Sequence, residues 1–479
     1  MRQIRKKEGI LQSSENDGIR HESLNKFVTG KAQYIDDLSE ENGTLHAYIG
    51  KSDFAKGKIL DLDLEEVRTA EGVVDIFSAR DLPGLNDISP TGLKDEPVLA
   101  DKEVSYYGQP LFVVVAKTRL QARKAASFAK LKKSINSPLL DIQNIKEKNP
   151  EIVTPPLKLE RGDVDKSLKK SRYRLNGALN IGGQDHFYLE GHIAMAKLED
   201  SAEVIVLSST QHPTEVQHMV AKVLNIPFNK VIVKVKRMGG GFGGKETQSN
   251  FFAAIAALAA VRTGKAVKFR PDRDDDMIIT GKRHPFYITY NVGFEHNGEI
   301  MAVDALLSAN CGFSSDLSGP ITDRALFHSD NCYYYPNVRL ISRPLKTNKV
   351  SNTAFRGFGG PQMYFAIERV MHQVAVDLGL DARLAVRRDG VVDRAGVLGR
   401  RHLRGAHHHA IVLPAVVRAR GEAEGVGDER EHGNTSSARE EEVSGGCGRG
   451  IDAVRAGRGA EIRLTSAIEG DNADGRAER

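Results

Sequence analysis

Over the first 380 residues, the spacing of apolar positions switches between a period of two and a period of three to four. Short runs bounded by polar turns, LHAYIG (45–50), VVDIF (73–77) and LFVVVA (111–116), have the length and β-branched content of strands. The stretch TRLQARKAASFAKLKK (118–133) predicts a helix, so residues 22–140 read as one α+β region. A polar, proline-bearing stretch within 141–165, NPEIVTPPLKLERGD, predicts a linker, and its Arg161, Gly162, Asp163 triplet reads as a turn. A second region, 166–382, opens with strand-like segments. It contains the alternating VIVKVKRM (231–238) and two runs of helical length, SNFFAAIAALAAVRTG (249–264) and MYFAIERVMHQVAVDLG (363–379), each ended by a glycine.

From about residue 381 both periods vanish. Lysine does not recur after Lys349, the last aromatics are Tyr364 and Phe365, and Arg, Gly, Ala and Glu dominate. A segment with so little apolar surface cannot offset the entropy of ordering it, so 383–479 is expected to be largely disordered, like the flexible N-terminus 1–21. The abrupt break points to a shifted reading frame or a fused foreign segment, with a natural disordered tail as the alternative, and His407, His408 and His409 within it are given no metal role.

At 479 residues and 40% hydrophobic, the chain has enough apolar material for two or three cores. Cys311, Cys332 and Cys447 lie too far apart for a zinc motif and are one short of the four that an iron–sulfur cluster takes. A net charge of +5, spread along the chain, gives no footprint for nucleic acid. No apolar segment follows the basic N-terminus, and the longest apolar run, 251–261, is short of the ~20 residues of a spanning helix. A cytoplasmic chain with no membrane partner is the expectation.

The candidate chemistry sits in a glycine loop that occurs twice. Gly241, Phe242, Gly243, Gly244 is echoed by Gly357, Phe358, Gly359, Gly360, and each copy precedes a helix. Glycine lets backbone amides approach a ligand closely, and a helix N-terminus behind the loop favours negative charge. Two such loops predict one flat or anionic ligand gripped from two sides. Read from Gly239, the first loop also spells the phosphate-binding G-x-x-x-x-G-K, but Glu246 stands where a hydroxyl should meet Mg²⁺. A carboxylate there repels phosphate, so nucleotide binding is the alternative reading.

KRMGGGFGGKET (236–247), GGQDHFYLEG (182–191), DRALFHSDN (323–331) and SNTAFRGFGGPQ (351–362) resemble the molybdopterin-binding subunit of the xanthine dehydrogenases, which are molybdenum hydroxylases. KFVTGKAQYIDD (26–37) is similar to the start of their α/β hammerhead domain. The resemblance covers roughly residues 20–380 and implies an α+β chain: the hammerhead domain, then the first part of a mixed molybdopterin-binding domain. It implies that Gln184, Gly241, Phe242, Gly243 and Arg356 contact the cofactor, with Gln184, Phe242 and Arg356 nearest the molybdenum. Glu246 and Arg324 would bind and orient a purine and act in catalysis, with Phe358 against its ring. An aromatic face with a carboxylate and a guanidinium at the edge is a chemically sensible purine site. The Glu246 and Arg324 pair favours xanthine over the substrates of the related aldehyde oxidases. The implied reaction hydroxylates hypoxanthine and xanthine towards urate, with iron–sulfur clusters and FAD on partner subunits. The family's glutamate base lies far downstream, in a stretch that the tail replaces, so the chain alone is expected to be inactive.

Overall fold

The run Pro110–Ala116 is apolar and buried at every position, which a strand allows only when both of its faces are covered. Phe112, Val114 and Ala116 point into one core with Tyr48, Val67 and Ile76. Val113 and Val115 point into another with Ile49, Phe77 and Val206. The computed structural model describes residues 21, 23–143, 150–199 and 203–380. The tail 381–479, with its histidine run and Cys447, and the N-terminus 1–20 lie outside the described residues.

The strands are β1 (Leu45–Lys51), β2 (Gly57–Asp63), β3 (Val73–Ser78), β4 (Glu103–Val104), β5 (Pro110–Ala116), β6 (Lys130–Ile135), β7 (Lys158–Arg161) and β8 (Tyr173–Ile181). They continue with β9 (Ala194–Leu198), β10 (Val204–Ser208), β11 (Val231–Lys234), β12 (Val267–Phe269), β13 (Phe286–Phe294), β14 (Ile300–Gly312) and β15 (Val338–Lys346). The largest sheet has the order β11-β10-β9-β12-β1-β5-β3, so it hydrogen-bonds strands from both sides of the 141–165 stretch. The junction is β1 beside β12, parallel, with Leu45 opposite Val267. A five-stranded sheet, β7-β15-β14-β13-β8, carries the second half, and β4-β2-β6 forms a small third sheet.

The helix Ser249–Thr263 is buried from Ser249 through Ala260. A helix that is apolar all round has no solvent face, and this one is enclosed by the large sheet and the helix Pro213–Leu224 within a single core. It stops at Gly264, whose φ of 64° closes the last turn. The helix Gly360–Asp377 instead buries one stripe, Met363, Ala366, Ile367, Val370 and Val374, against the five-stranded sheet.

Two predicted elements differ. The helix expected over 118–133 is short: Thr118 caps it by accepting from the Gln121 amide, and it spans Arg119–Ala126. The lysine-rich remainder is β6, paired antiparallel with β2, because strand pairing outweighs the helix preference of KLKK. The expected linker contributes the edge strand β7, antiparallel to β15. The turn reading of its RGD triplet is met by Gly162 at φ 71° and by Asp163, which caps the helix Val164–Lys170. Cys311 and Cys332 are free thiols. No helix among the described residues is long and apolar enough to cross a membrane.

Candidate functional site

The four segments singled out by motif each follow a strand. Residues 182–193 follow β8, the first glycine loop follows β11, the second follows β15, and the helix Ser318–Phe327, which carries Arg324, follows β14. Phe242 and Phe358 have φ of 53° and 50°, and the glycines after them, Gly243 and Gly359, have φ of 99° and 89°. Both loops thus make the same left-handed turn. Bulky residues rarely adopt it, and such strain concentrates at ligand sites.

The loops touch. The Arg356 amide donates to the Phe242 carbonyl at 2.8 Å, and a Cβ placed on Gly243 would lie 2.8 Å from the Ala354 carbonyl carbon. His186 closes the third side: its Nε2 lies 2.7 Å from the Ala354 carbonyl and its ring stacks on Phe355, centroids 4.4 Å apart. A carbonyl only accepts, so Nε2 carries the proton. Burial holds the His186 pKa down at about 4, so the ring is neutral at neutral pH. Gly359 packs onto the Ile321 carbonyl of the helix that carries Arg324.

Asp316 holds the loops from behind. It is fully buried, and it accepts from Thr247 Oγ1 (3.0 Å) and Gln248 Nε2 (2.6 Å) behind the first loop and from Thr353 Oγ1 (3.2 Å) before the second. Burial raises its pKa from 3.8 to about 7, with Glu215 adding and the three donors opposing. A carboxyl with a raised folded pKa contributes stability that is complete below its ordinary pKa and is lost as pH rises through the raised one. The wild-type chain should therefore lose stability relative to Asp316→Asn between pH ~4 and ~7. Urea midpoints at pH 5 and pH 8 check this, and a constant difference would refute it.

Lys245 does not face the ligand side. Its side chain has 0% exposure, and Nζ donates to the Glu190 carbonyl (2.7 Å), to Ser209 Oγ (2.7 Å) and to Glu190 Oε2 (3.2 Å). A phosphate-binding loop needs this ammonium free, so the nucleotide reading loses its central residue.

Of the residues expected at the cofactor, Phe242, Gln184 and Arg356 are exposed at this junction, while Gly241 is buried and Gly243 half-buried beside them. The amides of Gly241 and Phe242 have no acceptor among the described residues. Of the purine set, Phe358 is half-buried in the second loop, and Arg324 is exposed on the helix under Gly359. Glu246 is half-buried, its amide donates to the Gly243 carbonyl at 3.2 Å, and its carboxyl has no hydrogen bond or ion pair among the described residues. Its pKa is raised by burial and by Glu215, with His212 opposing. Arg324 lies on the helix whose Ile321 carbonyl packs against Gly359 of the second loop, while Glu246 follows the first loop, and no hydrogen bond or ion pair joins the two among the described residues. Motif reading missed Arg283, Asp316 and the packing role of His186, since no spacing marks a charge that folding will bury.

Among the described residues no cluster of three or more His, Cys, Asp or Glu can hold a metal ion. A metal carried on its own organic ligand needs no such cluster. Free amides, strained turns and an exposed amide and guanidinium fit a flat, oxygen-rich group of that kind.

Residues 145–389 match the family described as molybdopterin cofactor-binding domain. Residues 29–134 match the aldehyde oxidase and xanthine dehydrogenase a/b hammerhead domain. The xanthine dehydrogenase of Dictyostelium discoideum is 40% identical over 364 residues, 76% of this chain and 26% of that protein. The xanthine dehydrogenase/oxidase of Gallus gallus is 41% identical over 374 residues, 78% of this chain and 27% of that one. This chain therefore spans about a quarter of the length of these curated relatives. The aldehyde oxidoreductase of Desulfovibrio gigas superposes with a TM-score of 0.70 at 24% identity, over 77% of this chain and 42% of that one. The quinoline 2-oxidoreductase of Pseudomonas putida 86 does so with 0.69 at 22%, over 78% and 50%. These two likenesses support the fold, a hammerhead domain followed by a molybdopterin-binding domain.

Proposed function

Because the chain belongs to the aldehyde oxidase and xanthine dehydrogenase family, with the molybdopterin cofactor-binding domain matched over half its length, we propose that it forms the cofactor- and purine-facing part of a xanthine dehydrogenase-like hydroxylase. The observation that carries this reading is the hydrogen bond between Arg356 and Phe242, which makes the two glycine loops one surface. Gln184, Gly241, Phe242, Gly243 and Arg356 would hold molybdopterin. When bound, that group supplies the oxygen transfer and two-electron chemistry. The protein's part is recognition.

Glu246 has the environment for that part. Its half-buried carboxyl, with its pKa raised and no bonding partner among the described residues, can accept from or share a proton with a purine N–H. Arg324 then stabilises negative charge on the purine oxygen, and Phe358 offers a ring face. Iron–sulfur and FAD partners would take the electrons.

The test co-expresses the chain with the iron–sulfur and flavin chains and measures molybdenum content, urate formation and xanthine affinity. Bound molybdenum and measurable xanthine affinity are expected. Glu246→Ala and Arg324→Met should each weaken xanthine about tenfold or more without changing the molybdenum content, as loss of a charged hydrogen bond does. Absence of molybdenum from the purified complex overturns the cofactor assignment. Unchanged xanthine affinity in both variants overturns the purine assignment, and preference for an aldehyde would redirect it to aldehyde oxidase-type chemistry.

A further inference from the structure

An amide side chain can face a ligand with either its oxygen or its nitrogen, and for Gln184 the neighbouring residue decides. Arg283 Nε donates to Gln184 Oε1 at 2.6 Å, and the Arg283 backbone amide donates to the Gln184 carbonyl at 2.9 Å. A guanidinium has five N–H donors and no acceptor, so the atom it meets is the amide oxygen. That leaves the Nε2 hydrogens of Gln184 without an acceptor among the described residues, on an exposed side chain. Arg283 also donates from Nη2 to the Arg356 carbonyl at 2.9 Å, and its guanidinium lies 3.9 Å from the Phe355 ring centroid.

Nothing about Arg283 is ordinary for an arginine. It is 8% exposed, and no carboxylate pairs with it among the described residues. Its Nη1 is buried with no partner among the described residues. Burial lowers its pKa to about 10, so it still carries its charge at neutral pH. A buried, unpaired cation costs several kcal/mol, so a residue kept there has a use beyond packing.

We propose that Arg283 is a positioning residue of the cofactor site: it occupies the oxygen of Gln184 so that the amide presents only N–H donors, and it fixes the Arg356 turn of the second glycine loop in the same gesture. The ligand atom this arrangement takes is a hydrogen-bond acceptor, an oxygen of low protonation state. The proposal rests on the cofactor reading above for its ligand, but the link between Arg283 and Gln184 stands in the chain alone.

The experiment labels the full chain with ¹⁵N-glutamine and follows the Gln184 side-chain amide signal, identified by its absence in Gln184→Glu. Arg283→Met should move that signal, with Arg283→Lys restoring part of the shift. In co-expressed chain, Arg283→Met should also lower molybdenum content about tenfold or more relative to wild type, as loss of an outer-shell orienting partner does. Gln184→Glu separates orientation from folding: the carboxylate still accepts from Arg283, so the unfolding midpoint holds or rises, while molybdenum uptake falls for lack of an N–H donor. An unmoved Gln184 signal in Arg283→Met overturns the proposal, as does normal molybdenum uptake by Gln184→Glu. A wild-type chain that takes up no molybdenum would defeat the cofactor reading instead, and the amide signal would still decide whether Arg283 holds Gln184.

Discussion

Lys245→Met is expected to lower the unfolding free energy by about 3–5 kcal/mol, the cost of removing one partner from a buried ion pair. Lys245 is completely buried, and its ammonium serves the Glu190 carboxylate, the Glu190 carbonyl and the Ser209 hydroxyl together, with the Tyr188 ring 4.7 Å away. Glu190 is itself almost covered, at 11% side-chain exposure, so its charge would be left with only Ser209 Oγ and the Gly239 amide. Adding Glu190→Gln to Lys245→Met should recover part of the loss, because the stranded charge disappears with it. Denaturant titration of the two variants measures both effects. An unchanged midpoint in Lys245→Met would mean that the ammonium is free to serve a ligand, and the phosphate-loop reading would return.

Gly243→Val should abolish molybdenum uptake in co-expressed chain while the far-UV circular dichroism stays that of a folded protein. At φ 99° a β-branched residue is strained by roughly 1–3 kcal/mol, and its Cβ would meet the Ala354 backbone at 2.8 Å. The two glycine loops would have to part, breaking the hydrogen bond from Arg356 to Phe242. Gly264→Ala serves as the control, since it is strained in the same sense, at φ 64°, yet nothing lies within 4 Å of its Cβ position. Equal uptake by Gly243→Val and the control would show that contact between the loops is not what forms the site.

Much of this junction was legible before any coordinates. The repeated Gly-Phe-Gly-Gly core marked both turns because a backbone that must pass close to another chain or ligand excludes side chains, and that exclusion is written in the residue type. The apolar run 251–260 was legible as a stretch of helical length, and the structure buries it because a segment with no polar face has nowhere else to go. KLKKSI misled because four of its six residues favour helices in isolation or tolerate them, while its partner β2 lies some seventy residues away. Arg283 and Asp316 were invisible because a charged residue reads as a solvated one until folding surrounds it.

By itself, the order of residues determined local conformations: two repeated glycine turns, two stretches of helical length and several short strands. Those follow from sterics and hydrophobicity, which act between neighbours in the chain. Only the tertiary structure decided the electrostatics of the site, namely that Lys245 turns inward to Glu190, that Asp316 ties Thr247 to Thr353, 106 residues further on, and that Arg283 donates to Gln184. The strength and direction of those contacts depend on distance and on the exclusion of water, and both exist only once remote segments have been packed against each other.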